Sequence, residues 1–400
     1  MKAMKAGDEM KTLIELYDER PIENVLASEV FRPERTVFLC PSDVAQNKTL
    51  KESLVRYFKH CGLDTELVFL ESSLYHADKL VRQIRTVKET YPDCVVDITG
   101  GTDAALFACG SVCAELDIPA FTYSRRNNCF YDIRSAPFAE QLPCAIEHTV
   151  EDCFLMAGGA LRTGRVDNRV LGQYADCFVP FFRLYLQYRS EWAQTVNYIQ
   201  SASRADKGAS VPLKVSAPYT VKGERGTNVD APEALLREFE KLGFLRNVSI
   251  SKENVRFTFR DAQVRAWLRD VGSVLELFVY HECVEAGLFN DVVTSAVVDW
   301  EGTTIRDSVS NEIDVMAMRG ILPIFISCKT CPITTDALNE LAVLRDRFGG
   351  KGAKAAIVTT QNCRTITLHR ASELGIDVID LRDLKDVSIK DRLVTLLRTE

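Results

Sequence analysis

Between residues 11 and 135 short apolar runs alternate with amphipathic stretches, and few folds accommodate that pattern. Leu13–Tyr17, Thr36–Cys40, Glu66–Leu70, Cys94–Ile98 and Pro119–Tyr123 read as strands. Between them Pro21–Phe31, Leu50–Cys61, His76–Tyr91 and Ala104–Leu116 read as helices. The first has Pro near its start, and the second gathers Leu50, Leu54, Tyr57 and Phe58 on one face. Such alternation with short loops makes a parallel, doubly wound sheet. The expected strand order, 3-2-1-4-5, places a topological switch between the first and fourth strands, and ligands bind there beyond the strand carboxyl ends.

Both loops at the switch are built for a ligand. The first runs Asp18-Glu-Arg20-Pro21-Ile-Glu-Asn24, and the second runs Thr99-Gly100-Gly101-Thr102-Asp103. Adjacent glycines at a strand-to-helix turn let backbone N–H groups face an anion at the helix N-terminus. A turn merely capped by Thr102 or Asp103 is the plainer reading, but the position at the switch favours a ligand. Ser42, just after the second strand, joins Asp18, Arg20, Pro21, Asn24 and Thr99–Asp103 as a candidate ligand contact. The loop is neither Gly-x-Gly-x-x-Gly nor a Gly-Lys-Ser/Thr phosphate loop, so a dinucleotide or ATP is not the natural ligand.

Residues 145–205 read as helical and connecting, and Ser203–Asp230, rich in Lys, Gly, Ser and Pro, as a linker. Ala234–Gly243 is an amphipathic helix closed by glycine, followed by short strands at Phe244–Asn247 and Val255–Phe259. In the second strand Phe257 and Phe259 face one way, and Arg256, Thr258 and Arg260 the other. A helix with a two-stranded wing resembles a winged-helix unit, serving either as a nucleic-acid reader or as a dimerising spacer. Residues 241–270 carry seven basic and three acidic side chains, a local charge of +4; the net charge is −7, so the remainder is −11. A basic stripe on an acidic chain favours local nucleic-acid contact over general polyanion coating.

Near the C-terminal end the run Asn311–Lys329 forms two apolar strands around an Arg319-Gly320 turn. Asp314 interrupts the first strand and Lys329 ends the second, after Ile324-Phe325-Ile326. Burying an unpaired carboxylate or ammonium costs on the order of several kcal/mol, so each needs a partner or a task. Pairing Met318 with Ile321 sets Asp314 opposite Phe325 and Ser327 opposite Glu312. Upstream, the apolar helix beginning at Ser273 carries Glu276 as the lone charge of its first turns. Downstream, Thr335–Phe348 is a helix closed by Gly349-Gly350, with Leu338, Leu341 and Leu344 on its core face and Glu340 beside them. Carboxylates from Asp314, Glu276 and Glu340, with a backbone carbonyl at Cys328, suit Mg²⁺ or Mn²⁺. A lysine beside such an ion orients water or balances transition-state charge, which gives Glu276, Asp314, Lys329 and Glu340 as catalytic candidates.

An aspartate, a hairpin turn and a lysine closing an apolar strand resemble the PD-(D/E)xK nuclease layout. The motif has an acid two positions before the lysine, where this chain has Ser327; Glu340 is preferred over Glu312 as its replacement. Over nearly the whole length the chain resembles the CRISPR-associated Rossmann-fold (CARF) nucleases activated by cyclic oligoadenylates. The resemblance rests on Asp18–Asn24, Thr99–Thr102, the Glu276 helix, and Asp314 with Ser327-Cys328-Lys329. It implies an α/β chain with a CARF sensor over residues 1–145, a helical connector over 146–205, a winged-helix-like module over 206–270 and a nuclease domain over 271–400. It also implies a homodimer, cyclic tetra-adenylate bound across two Rossmann domains, Mn²⁺ or Mg²⁺, and cleavage of RNA or DNA in antiviral defence. Asp103 departs from relatives that carry a basic residue there. Two alternatives are a ligand-gated winged-helix regulator with an inactive nuclease fold, and an unregulated restriction- or repair-type nuclease.

Thirteen cysteines scattered through apolar segments suit reduced thiols in a cytoplasm better than a disulfide framework. The N-terminal residues lack the apolar core of a signal peptide, and no run approaches the ~20 apolar residues that span a bilayer.

Overall fold

The computed structural model describes residues 10–162, 164, 166–204, 211–223, 226–302, 310–350, 352–386 and 388–398. The first sheet takes β1 (Thr12–Leu16), β2 (Arg35–Cys40), β3 (Glu66–Glu71), β4 (Cys94–Asp97), β5 (Ala120–Ser124), β6 (Cys129–Arg134) and β7 (Leu142–Pro143). Its order, β3-β2-β1-β4-β5-β6-β7, contains the expected arrangement, and its first five strands are parallel. β6 and β7 extend the edge antiparallel and were not foreseen. Central strands are buried on both faces, as a sheet covered by helices requires. Leu13, Phe38 and Phe121 enter one apolar layer; Ile14, Val37, Leu39 and Val96 enter the other.

Two acids break that pattern. Glu15 on β1 and Asp97 on β4 stand in register, and both are buried. Burial, with Asp97 as neighbour, drives the Glu15 carboxyl well above its ordinary range. Asp97 is pushed up to about 7 by burial, against the N–H and hydroxyl of Thr99, which donate to its Oδ1.

The chain then gives a short strand, β8 (Ala160–Arg162), to the distant C-terminal sheet. Helices Ala175–Gln187 and Trp192–Ala202 follow, and their aromatic rings form the middle of the core. Phe182 stacks on Phe278 with centroids 4.1 Å apart, and Trp267 meets Tyr174 edge-on. Part of the expected linker is ordered sheet: β9 (Lys214–Pro218), β10 (Thr220–Lys222) and β11 (Asn228–Asp230) lie inside it. Residues 205–210 and 224–225 of that linker lie outside the described residues. β12 (Leu245–Ile250) and β13 (Asn254–Phe259) pair with β9 in the order β12-β13-β9, beside helices Glu233–Lys241 and Ala262–Leu268. Phe257 and Phe259 point inward and Arg256 outward.

The basic stripe is partly absorbed by packing. Arg260 lies over the Tyr174 ring, Arg265 donates to the Val211 carbonyl, and Lys241 pairs with Glu238. Arg269 is partly buried, which lowers its pKa. Arg246, Lys252 and Arg256 remain exposed.

The second large sheet takes β14 (Asp291–Asp299), β15 (Ser310–Arg319), β16 (Leu322–Lys329), β17 (Lys354–Thr359) and β18 (Ile376–Ile379). Its order is β18-β17-β16-β15-β14-β8. Helix Ser273–Glu285 covers one face over Val315, Ile324, Ile326 and Cys328, in a core continuous with the middle elements. Helix Thr335–Phe348 covers the other over Met316 and Phe325. All thirteen cysteines are free thiols. Among the described residues no helix is long and apolar enough to cross a membrane.

The acid pair yields the first prediction. Because its folded pKa is raised, Asp97 contributes most below its unfolded value of about 4, and that contribution is lost as pH rises through about 7. The Asp97→Asn variant keeps an oxygen for Thr99. It should melt several degrees above the parent at about pH 8 and show a flatter melting-temperature profile from about pH 4 to about pH 8. Parallel profiles in differential scanning fluorimetry would mean that Asp97 ionises like an exposed carboxylate.

Candidate active site

Gly320, at φ +58°, opens the turn between β15 and β16, with Arg319 paired to Leu322. Glycine adopts that φ without strain. The register therefore lies two residues from the expected one: Met316 faces Phe325, and Val315 faces Ile326. A shift of two leaves every side chain on its face, because strand side chains alternate with period two. Asp314 consequently meets Ser327 rather than lying opposite Phe325.

Asp314 Oδ2 accepts from Ser327 Oγ at 3.0 Å and from the Cys328 N–H at 2.6 Å. Lys329 Nζ stands 3.6 Å from the same oxygen, with the two side chains 32% and 17% exposed. At that exposure a lone ion pair adds at most about 1 kcal/mol, so stability alone does not account for it. Glu312, Asp314, Ser327, Lys329 and Glu340 line one cleft of about 200 Å³ between the hairpin and helix Thr335–Phe348. Glu340 Oε1 accepts from Asn311 Nδ2 at 2.8 Å, and Asn311 Oδ1 accepts from Trp300 Nε1 at 2.8 Å. Asn311 and Trp300 escaped sequence reasoning, since neither ionises and nothing in their spacing marks them.

Glu276 does not line this cleft. It is buried at the start of its helix, on the side of the sheet that carries the Cys328 thiol. Burial pushes that thiol well above its ordinary range, and the Asp314 and Glu276 carboxylates push the same way. The side chain is thus a protonated thiol, which leaves only the backbone carbonyl of Cys328 as a donor for a hard cation. In kind the oxygen donors fit Mg²⁺ or Mn²⁺. In position they are not drawn together: among the described residues, no three histidine, cysteine or acid side chains gather closely enough to hold a metal.

At the switch point the two loops bind each other. Asp18 Oδ2 accepts from the Gly101 N–H at 3.1 Å, and Oδ1 from the Arg20 N–H at 3.0 Å. Asn24 closes its loop by accepting from Asp18 N–H and donating to Asp18 C=O. Thr102 caps the following helix through Ala105 N–H and donates to the Leu74 carbonyl, and Asp103 opens its first turn. The Gly101 amide is therefore satisfied internally. Ser42 lies apart, in a cavity of about 500 Å³ with Ser72, Ser73, Tyr75, Lys79 and Arg82. Lys79 and Arg82 bring two cations to this cavity, and the sequence reading singled out neither.

The other side of the Asp18–Asn24 loop packs on the C-terminal domain. A Cβ on Gly350 would stand 3.7 Å from Arg20 Cβ and 3.9 Å from Pro21 Cδ. Pro21 and Asn24, with Tyr17 and Glu19, share a cavity of about 480 Å³ with Trp300, Glu301 and Arg347. Arg20 and Pro21, expected at a ligand, stand beside Gly350 in this structure.

Residues 263–396 match the family model described as the Card1-like endonuclease domain. This part of the chain is similar to that domain. The whole chain has the fold of VC1899 from Vibrio cholerae, with a TM-score of 0.76, 18% identity and coverage of 97% of this chain and 98% of that one. It is also similar to Can2 from Sulfobacillus thermosulfidooxidans, solved in complex with cyclic tetra-adenylate, with a TM-score of 0.68 and 15% identity. That likeness covers 97% of this chain and 100% of Can2. No curated protein matches the sequence. The resemblance read from the two loops and the charged hairpin is borne out.

Gly101 tests the loop geometry. It sits at φ +94°, and a Cβ would stand 3.0 Å from the Leu16 side chain. Gly101→Val should cost about 1–3 kcal/mol, from backbone strain alone, and loosen the Asp18 contact. Hydrogen exchange should show faster labelling of residues 98–103; unchanged protection would mean that the bridge to Asp18 does not hold the loop.

Proposed function

We propose that this chain is a divalent-metal-dependent endonuclease of type III CRISPR defence, switched on by cyclic tetra-adenylate and acting as a homodimer on RNA or DNA. The observation that carries the reading is the shared loop. Asp18–Asn24 is bonded to the Gly-Gly turn on one side and packed against the endonuclease domain on the other. The Can2 complex supports a cyclic oligoadenylate as the ligand class. A ring with two-fold symmetry matches a two-fold dimer, since each protomer then meets the same half. Ser42, Lys79 and Arg82 offer a hydroxyl and two cations for ribose and phosphate in a cavity that reaches the Thr102 loop through Leu74.

In the cleft, Asp314, the Cys328 carbonyl and Glu340 would hold Mg²⁺ or Mn²⁺; Glu276, on the other side of the sheet, lies outside this set. Such an ion supplies charge stabilisation for the phosphate and a more acidic bound water. Lys329 contributes a cation at the mouth of the same cleft, where it orients the nucleophile or offsets developing negative charge. Ser327 keeps the Asp314 carboxylate in place by donating to it.

Lys329→Ala and Asp314→Ala should each reduce cleavage by at least about 100-fold while leaving activator affinity unchanged, a typical scale for removing one electrostatic group of an active site. The assay is incubation with labelled RNA, single-stranded DNA and plasmid in Mn²⁺, with and without cyclic oligoadenylates. Normal turnover by either variant would overturn the site. Glu340→Gln should impair cleavage more than Glu312→Gln, and Ser327→Glu should restore part of what Glu340→Gln loses. The reverse ranking would move the acid to Glu312.

A second reading has its own support. Ser327 stands where the motif places an acid, and no three-ligand cluster is assembled among the described residues. A ligand-gated regulator with an inactive nuclease fold fits those two facts. It would bind cyclic oligoadenylate yet cut none of the three substrates at any Mn²⁺ concentration.

A further inference from the structure

The turn after β14 is held from three directions. Trp300 donates through Nε1 to Asn311, whose amide holds Glu340. The Trp300 ring also meets Phe348, the last residue of the Glu340 helix, edge-on at 5.6 Å. Two residues on, the Gly302 carbonyl accepts from Arg56 Nη1 at 3.2 Å, and Arg56 belongs to helix Lys48–His60 of the first domain. Trp300 itself lines the interdomain cavity opposite Pro21 and Asn24 of the switch loop. One indole therefore touches the sensor-side cavity, the helix that carries the candidate acid, and the amide that aims that acid.

We propose that Trp300 and Asn311 are positioning residues for Glu340, and that they carry the state of the switch loop across the interdomain cavity to the cleft. The proposal rests on Glu340 acting as the acid that Ser327 does not supply. Its physical content is a matter of freedom. Glu340 is exposed on its helix, and a solvated glutamate samples several rotamers. The Asn311 amide selects one of them. Asn311 is oriented in turn because its oxygen is committed to the indole, which leaves the NH₂ group for Glu340. The indole is fixed by Phe348 and by the grip of Arg56 on the turn. The cavity of about 480 Å³ beside it leaves space for the ring to shift when the switch loop moves. A shift that breaks the indole–Asn311 bond frees the amide to rotate and releases Glu340.

Asn311→Ala, Trp300→Phe, Glu340→Gln and the double variant Asn311→Ala/Glu340→Gln, all in the full chain, test this. Trp300→Phe removes the donor and keeps a ring against Phe348. Melting temperatures confirm that each variant is folded, and calorimetry with Mn²⁺ alone gives a readout independent of turnover. Asn311→Ala should lower kcat about 3- to 10-fold, the scale of one net hydrogen bond, and weaken Mn²⁺ binding by a similar factor. Trp300→Phe should move both in the same direction and reduce the ratio of activated to basal rate with cyclic tetra-adenylate. In the Glu340→Gln background, Asn311→Ala should add nothing, because the two act through one group. If Glu340→Gln is impaired while Asn311→Ala and Trp300→Phe cut and bind Mn²⁺ like the parent, the relay is wrong and the acid assignment stands. Multiplying losses in the double variant also reject the relay. If Glu340→Gln itself binds Mn²⁺ and cuts normally, the acid assignment fails and takes the relay with it.

Discussion

Everything at the centre of this molecule hangs on what one carboxylate can hold at once. Asp18 receives the Gly101 amide on one oxygen and the Arg20 amide on the other, while Asn24 clamps its backbone. Two loops from separate strands are thereby locked into one body. The lock excludes side chains at Gly101, which sits at positive φ against Leu16. It also places the outer face of the Asp18–Asn24 loop against Gly350, at the end of the helix that carries Glu340. A ligand that displaced the Gly101 amide from Asp18 would compete with this lock and, through the same loop, would bear on the packing against Gly350.

The first sheet was almost entirely legible in the sequence, because doubly buried parallel strands read as unbroken apolar runs. The antiparallel edge was not, since Cys129–Arg134 mixes apolar and polar residues and lacks a helix to announce its return. In the hairpin the faces were right and the register was two residues out, because the choice of turn residues shifts the pairing without moving any side chain across the sheet. Asp314, Lys329 and Glu340 stood out as charges in apolar surroundings, and the structure brings them to one cleft. Glu276 stood out for the same reason, yet it lies on the other side of the sheet; an acid in an apolar run shows that a partner is needed and not where that partner is.

The middle of the chain resisted sequence reading for a different cause. Its apolar core is shared with one face of the C-terminal sheet, so the aromatic residues of Ala175–Gln187 are matched by Phe278 and Trp267 far along the chain. Local periodicity shows that a face is apolar and is silent on what covers it. Likewise β8 joins a sheet whose other strands begin more than a hundred residues later, and three residues carry no period to detect.

Placement of polar, non-ionising groups remains the hardest thing to read from sequence, and here it matters most. Asn311 and Trp300 have no signature of their own, yet they join the interdomain cavity to Glu340 through two hydrogen bonds of 2.8 Å. Coupling between a ligand site and a cleft is a free energy shared by both, so whatever a ligand at the switch loop did to the proposed cleft, a ligand in the cleft would return in kind. A chain of two bonds and one ring contact transmits only on the order of 1–3 kcal/mol, the usual range of such couplings. That is enough for a factor of several to about a hundred in occupancy of a competent state, the size of effect the proposed relay would need. If Glu340 is the acid, as proposed, its place on a helix rather than on the strand two residues before Lys329 is what would let such a coupling act. A strand carboxylate would be fixed by the sheet, whereas Glu340 stands on a helix whose C-terminal end lies beside the Asp18–Asn24 loop.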